Sequence, residues 1–121
     1  MQKVMLIEDD KTMLTLLSTL LKMEDFQVVQ LTTEQTMDDF IATLRREKPE
    51  LALVDVHLQH ASGIELVACV RKDPDFSALR ILMTSGLDAS AECKQAGAND
   101  FILKPYMPDE LIQRIRRVLK K

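Results

Sequence analysis

LALVD, residues 51–55, is the stretch on which the fold turns. Four apolar residues in a row, Leu51–Val54, with a carboxylate straight after them and Pro49 just before, read as a short strand buried on both faces. A helix pattern cannot run into it, because Pro49 ends the preceding helix. A strand with no polar face needs cover on both sides, which is the situation of a parallel sheet between helical layers.

Working outward, the same unit recurs on each side. Upstream, Glu34–Glu47 has Met37, Phe40, Ile41 and Leu44 at helical spacing. Before it stand a Val-rich strand, Gln27–Leu31, and a helix, Lys11–Met23, carrying Leu14, Leu17 and Leu21, with Asp10 as its N-cap. The first strand, Val4–Ile7, is stopped by three acids. Downstream, Ser62 caps a helix containing Ile64, Val67 and Val70, closed by Asp73-Pro74-Asp75. Ile81–Met83 is the fourth strand, Ala89–Ala96 a short helix of small residues ended by Gly97, and Phe101–Leu103 the fifth strand. Pro108 opens the last helix, with Asp109 and Glu110 behind it and Leu111, Ile115 and Leu119 as its packing face. Arg114, Arg116, Arg117, Lys120 and Lys121 gather at its end as a solvated face or half of a charge-paired interface. Five strand–helix units predict an α/β fold, a doubly wound parallel sheet, and a single domain over residues 1–121 with no repeat or linker.

Composition narrows the function. Of 121 residues, 46% are apolar and 29% charged, enough for one core and too regular for disorder. A net charge of −3 and a single Tyr with no Trp argue against direct nucleic-acid binding. The longest apolar run, Leu66–Val70, is far too short to span a bilayer, and no signal peptide is expected. Cys69 and Cys93 form no CxxC pair and read as reduced, buried thiols of a cytoplasmic protein. The seven scattered Met residues read as core filler.

Open parallel sheets place their sites at the carboxyl ends of the strands. Here those ends are Glu8-Asp9-Asp10, Asp55, Thr84-Ser85 and Lys104-Pro105. If the first and third strands are neighbours, three carboxylates crowd together, which is costly unless a cation binds or a proton is shared. Hard oxygen ligands favour Mg²⁺ or a similar ion. With the Thr84 hydroxyl and the long Lys104 ammonium added, the set suits a phosphoryl group, whose oxygens need neutralising on several sides. Taken one at a time, each residue has a plainer reading: a helix N-terminus, a turn, a β-former, a solvated Lys. Only their coincidence at four strand ends favours chemistry. Asp-x-His-x-x-His, with His57 and His60, lacks the further ligands of a transition-metal site.

LIEDD, LVDVHLQHASG, ILMTSG and DFILKP, in this order along five strand–helix units, resemble the receiver domain of two-component response regulators, and the resemblance covers essentially the whole chain. It implies a CheY-like, flavodoxin-like (βα)5 fold with strand order 2-1-3-4-5. It implies a phosphorylation-dependent switch, not an enzyme acting on other substrates, which catalyses only its own phosphorylation and dephosphorylation. Asp55 would be the phosphoacceptor. Mg²⁺ would be held by Glu8 largely through water, by Asp9 and Asp55 directly, and by the backbone carbonyl of His57. Thr84 and Lys104 would contact the phosphoryl group, and Phe101 would be the aromatic that swings inward as Thr84 moves. The Lys104–Pro105 bond would be cis. The implied partners are a sensor histidine kinase or a phosphotransfer protein, with an output domain or a second copy on the face of the fourth helix, fifth strand and fifth helix. Leu58 and Gln59 stand where the family often has Met-Pro, and Ser85 where it has Ala or Gly; neither change removes a reactive group. An aspartyl phosphohydrolase would carry a second Asp at the position of His57.

Overall fold

A computed structural model describes residues 1–31, 36–59 and 61–120. Its central strand, β3 (Leu51–Asp55), is buried at every position, as the apolar run Leu51–Val54 demands, and the burial extends to Asp55. It lies between β1 (Lys3–Ile7) and β4 (Arg80–Ser85); β2 (Gln27–Leu31) pairs outside β1 and β5 (Asp100–Leu103) outside β4. All four pairings are parallel and give the order 2-1-3-4-5 expected of a flavodoxin-like doubly wound sheet. The chain steps from β1 outward to β2 and then back across to β3, so the strand order reverses between β1 and β3. Such a reversal opens a crevice at the carboxyl ends of the two strands.

Period-two alternation sorts the strands between two cores. Val4, Leu6, Leu51, Leu53 and Leu82 face α1 (Lys11–Met23) and α5 (Pro108–Leu119), where Leu17, Leu21, Leu111 and Ile115 meet them. Met5, Ile7, Ala52, Val54, Ile81 and Met83 face α2 (Met37–Glu47), α3 (Gly63–Arg71) and α4 (Ser90–Ala96), against Phe40, Leu44, Val67 and Cys93. Each fully buried Val, Leu, Ile, Phe or Met among them contributes about 1.5–3 kcal/mol.

Element boundaries differ from expectation where polar residues extend a ladder. β1 takes in Lys3, β3 Asp55, β4 Arg80, Thr84 and Ser85, and β5 Asp100, because main-chain pairing continues past the apolar segment: the Arg80 N–H donates to Glu50 O at 3.2 Å. The helix start expected at Glu34 lies outside the described residues. α2 begins at Met37, capped by Thr36, whose side chain accepts from Asp39 N–H while Asp39 accepts from Thr36 N–H.

Three expectations are corrected. Met37 sits in the first turn and is exposed, not part of the packing face. The methionines are not simply core filler: Met5 and Met83 are buried, but Met1, Met23, Met37 and Met107 are exposed, since composition alone does not say which turn of a helix meets the sheet. Cys69 is only half-buried; Cys93 is buried, and burial pushes its thiol up to about 11. The basic cluster of α5 is largely paired within the chain: Arg114 donates to Phe101 O at 2.6 Å, Arg117 to Asp100 at 3.0 Å and Arg116 to Glu24 at 3.1 Å. Lys121 lies outside the described residues. Among the described residues no helix is long and apolar enough to cross a membrane.

Candidate functional site

The crevice between β1 and β3 gathers Glu8, Asp9, Asp55, Thr84 and Lys104 from four different strand ends. Glu8 follows β1 directly, Asp55 ends β3, Thr84 stands beside Asp55 in the β3–β4 register, and Lys104 follows β5. β1 and β3 are paired through Ile7 and Val54, so the acids that come next face one another.

Lys104 closes the charge balance. Its Nζ donates to Asp55 Oδ2 at 2.7 Å and reaches Glu8 Oε2 at 3.5 Å. The Lys104 N–H donates to Ser85 O at 2.8 Å, which fixes the start of the side chain, and the Lys104–Pro105 bond is cis as expected. Burial raises the Glu8 carboxyl above its ordinary value, and its hydrogen bond with Asp55 raises it further against the opposing Asp10 amide. Asp55 feels the same burial, yet its hydrogen bonds to Lys104, Glu8 and the His57 amide outweigh it and leave its carboxyl lowered. Lys104 also loses by burial, and the pull of Asp55 and Glu8 raises it overall. Of two neighbouring buried acids, then, Asp55 is held below its ordinary value and Glu8 above it, because Lys104 and the His57 amide serve Asp55 first.

A main-chain amide serves each carboxylate. Asp10 N–H donates to Glu8 Oε1 at 3.1 Å, His57 N–H to Asp55 Oδ1 at 3.0 Å, and Gln59 N–H to Asp9 Oδ2. The loop after β3 is drawn in by a bridge from His57 to Ser62 and by the Gly63 N–H donating to Val56 O at 2.9 Å. Gly63 is obligatory there: a Cβ would lie 2.1 Å from the carbonyl oxygen of Asp55. His57 itself is exposed, and His60 lies outside the described residues.

Thr84 Oγ1 is buried and has no hydrogen-bond partner among the described residues. An orphan hydroxyl beside a carboxylate and an ammonium is a donor ready for an anionic oxygen. Phe101 is buried in the core on the α3–α4 side, so the aromatic expected to swing inward is already inside. Among the described residues no group of three or more acids, His or Cys is preset as a metal cage: Lys104 sits between Glu8 and Asp55, and Asp9 is turned to Gln59. The donor set is nonetheless all hard oxygen, and Mg²⁺ keeps several waters and needs only one or two carboxylates from a protein.

Three contributions were not read from the sequence, although Ser85 itself was named as a strand-end residue. Ser85 Oγ accepts from Leu87 N–H at 3.1 Å and so shapes the turn after β4. Gln59 acts through its amide, which no side-chain pattern reveals. Tyr106, the sole tyrosine, packs its ring on the α1–α5 core and buries a hydroxyl with no partner among the described residues; burial raises its phenol, with Lys104, Glu8 and Asp55 as its charged surroundings. Its place two residues after Lys104 was the available signal.

An ionised aspartate at the end of a central parallel strand, held by a lysine and in register with a threonine whose hydroxyl has no partner among the described residues, marks an α/β domain whose crevice suits an anionic group. Residues 4–116 match the response regulator receiver domain family. The chain belongs to that family, the receiver domains of response regulators in two-component systems. It is similar to protein RcaC of Microchaete diplosiphon (34% identity over 98% of this chain and 18% of that protein). It is also similar to the heme response regulator HssR of Staphylococcus saprophyticus (27% identity, all of this chain, 53% of that protein). The chain thus spans about half the length or less of these relatives. Among solved structures it resembles the BeF3-activated N-terminal receiver domain of Klebsiella pneumoniae RstA, with TM-score 0.85 and 29% identity over 99% of this chain and all of that one. A response regulator of Chloroflexus aurantiacus gives TM-score 0.88 and 26% identity over 99% and 98% of the two chains.

Proposed function

We propose that Asp55 is the phosphoacceptor of this receiver domain and that Glu8, Asp9, Asp55 and the His57 carbonyl hold a Mg²⁺ ion, with Thr84 and Lys104 as the phosphoryl contacts. The observation that carries this reading is Asp55 itself: a buried carboxylate kept ionised, 2.7 Å from Lys104 and in register with the partnerless Thr84 hydroxyl. When bound, Mg²⁺ supplies neutralisation of the charge on the transferred group. An Asp55 oxygen attacks phosphorus in line, the phosphorus–nitrogen bond of a phosphohistidine breaks, and the departing imidazole takes up a proton. Lys104 then turns from the carboxylate to the new phosphoryl oxygens, and Thr84 Oγ1 gains the partner it lacks. Because Phe101 is already buried, the shift it contributes is a repacking within the core rather than an entry from solvent. The chain acts as catalyst only on its own phosphorylation and hydrolysis.

The donor is a histidine kinase or phosphotransfer protein. An apolar groove of 880 Å³ between α1 and residues 105–108 opens beside Lys104, lined by Met13, Leu16, Leu20, Met23, Pro105 and Tyr106, and offers such a protein a place to dock. The face of α4, β5 and α5, with Leu103 exposed at the end of β5, is left for an output domain or a second copy. Two free thiols support a reducing, cytoplasmic setting.

Incubation with acetyl phosphate and Mg²⁺ should add one phosphoryl group, detected by mass, and Asp55→Asn should abolish it. Undiminished labelling of that variant would remove Asp55 from its role. Beryllofluoride with Mg²⁺ should shift the amide resonances of Thr84 and Lys104 in the wild type and leave those of Asp55→Asn unchanged.

A further inference from the structure

The contact between Asp9 and Gln59 differs from the other two carboxylate–amide contacts of the site. Glu8 with Asp10 and Asp55 with His57 are pairs two residues apart, local turns of a kind acidic residues commonly make. Asp9 and Gln59 are 50 residues apart, and their bond ties the turn after β1 to the loop after β3 across the mouth of the crevice. The loop is shaped for this: His57 N–H and Gln59 N–H, at alternate positions, are both turned to acids of the site. The Gln59 side chain has no part in it, and Gln59 is exposed.

We propose that the main-chain amide of Gln59 positions Asp9 for the cation, so that the two loops form one preassembled half of the metal site. This rests on the Mg²⁺ reading above. A carboxylate has lone pairs on both oxygens. The amide on Oδ2 therefore stays in place while the other oxygen turns to a cation, and the bond removes the need to order a half-exposed side chain at the moment of binding. Any residue but proline supplies this amide, so it is present here because Gln59 stands where the resembled family often has proline.

The test separates amide from side chain. Gln59→Ala keeps the N–H and Gln59→Pro removes it. Mg²⁺ titration by calorimetry should give Gln59→Ala the wild-type affinity and Gln59→Pro an affinity about fivefold to twentyfold weaker, the loss of one charge-assisted hydrogen bond in part offset by water. Equal affinity in Gln59→Pro, or an equal loss in Gln59→Ala, would overturn the proposal. Since proline also stiffens the loop, a second measurement uses ¹⁵N-labelled protein without metal: Asp9→Ala should move the Gln59 amide resonance well beyond those of its sequence neighbours. A stationary Gln59 resonance shows that the contact does not exist. Wild-type protein that binds no Mg²⁺ overturns the metal reading and this inference together, whereas wild-type binding unaffected by Gln59→Pro overturns the role of Gln59 alone.

Discussion

At the scale of single residues, the site depends on places where no atom can be added. Gly63→Ala sets a Cβ against the backbone of Asp55 itself, so relief requires moving either the end of β3 or the start of α3. The expected cost is about 1–3 kcal/mol in chemical denaturation, with a matching fall in acetyl-phosphate labelling, because the displaced residue is the proposed acceptor. The two thiols give an independent check on packing. With its thiol pushed up to about 11 by burial, Cys93 should resist a thiol-reactive dye in native protein at pH 8, while the half-buried Cys69 reacts; unfolding should expose both. The acids, Thr84 and Lys104 were legible in the sequence because each ends an apolar run, and strand ends converge in this fold. Gln59, Gly63 and Tyr106 were not. Their parts are played by a main-chain amide, by missing volume and by a buried hydroxyl, none of which leaves a periodic trace.

Among elements, Arg71 at the end of α3 adds a polar tie to the apolar contact that α3 and α4 share. Its guanidinium donates to Gly97 O at 2.9 Å, Phe76 O at 2.7 Å, Leu79 O at 2.7 Å and Asn99 Oδ1 at 2.9 Å, gathering the ends of α3, α4 and the turn at Pro74–Phe76. Gly97, at φ 115°, both ends α4 in the left-handed region and leaves room for the Arg71 stem, which a Cβ would meet at 2.5 Å. Arg71→Ala should therefore cost about 2–4 kcal/mol, and Arg71→Lys should recover little of it, since a single ammonium cannot reach several carbonyls of a planar fork. Equilibrium urea unfolding of the two variants measures both. Elements were legible in the sequence as apolar segments, and their order gave the sheet. Their ends were less so. Arg80, Ser85 and Asp100 join strands through main-chain pairing that hydropathy does not register, whereas the end of α4 was legible in Gly97.

For the molecule as a whole, stability should follow both cation and acid. A ligand that binds only the folded state stabilises it by about 2.7 kcal/mol at a hundredfold excess over its dissociation constant, so chelating Mg²⁺ should lower the melting temperature measurably, and Asp55→Asn should blunt the response. Asp100 ties β5 to α5. Burial alone would raise its carboxyl, but the Phe101 amide and the Arg117 and Arg114 guanidinia overcome that and hold it low. A lowered carboxyl contributes stability that is present above its unfolded value, about 3.9, and lost as the pH falls through the folded one. Asp100→Asn should accordingly be less stable at pH 7, and its stability should change less than the wild type's between about pH 4 and pH 2. The ring of Tyr106 lies beside the crevice, and the chain has no other tyrosine and no tryptophan. This chain is thus its own optical gauge: excited in the near ultraviolet it has one significant emitter, placed beside the proposed site of metal and phosphoryl binding, so metal loading and acyl-phosphate decay should be readable in real time without a label.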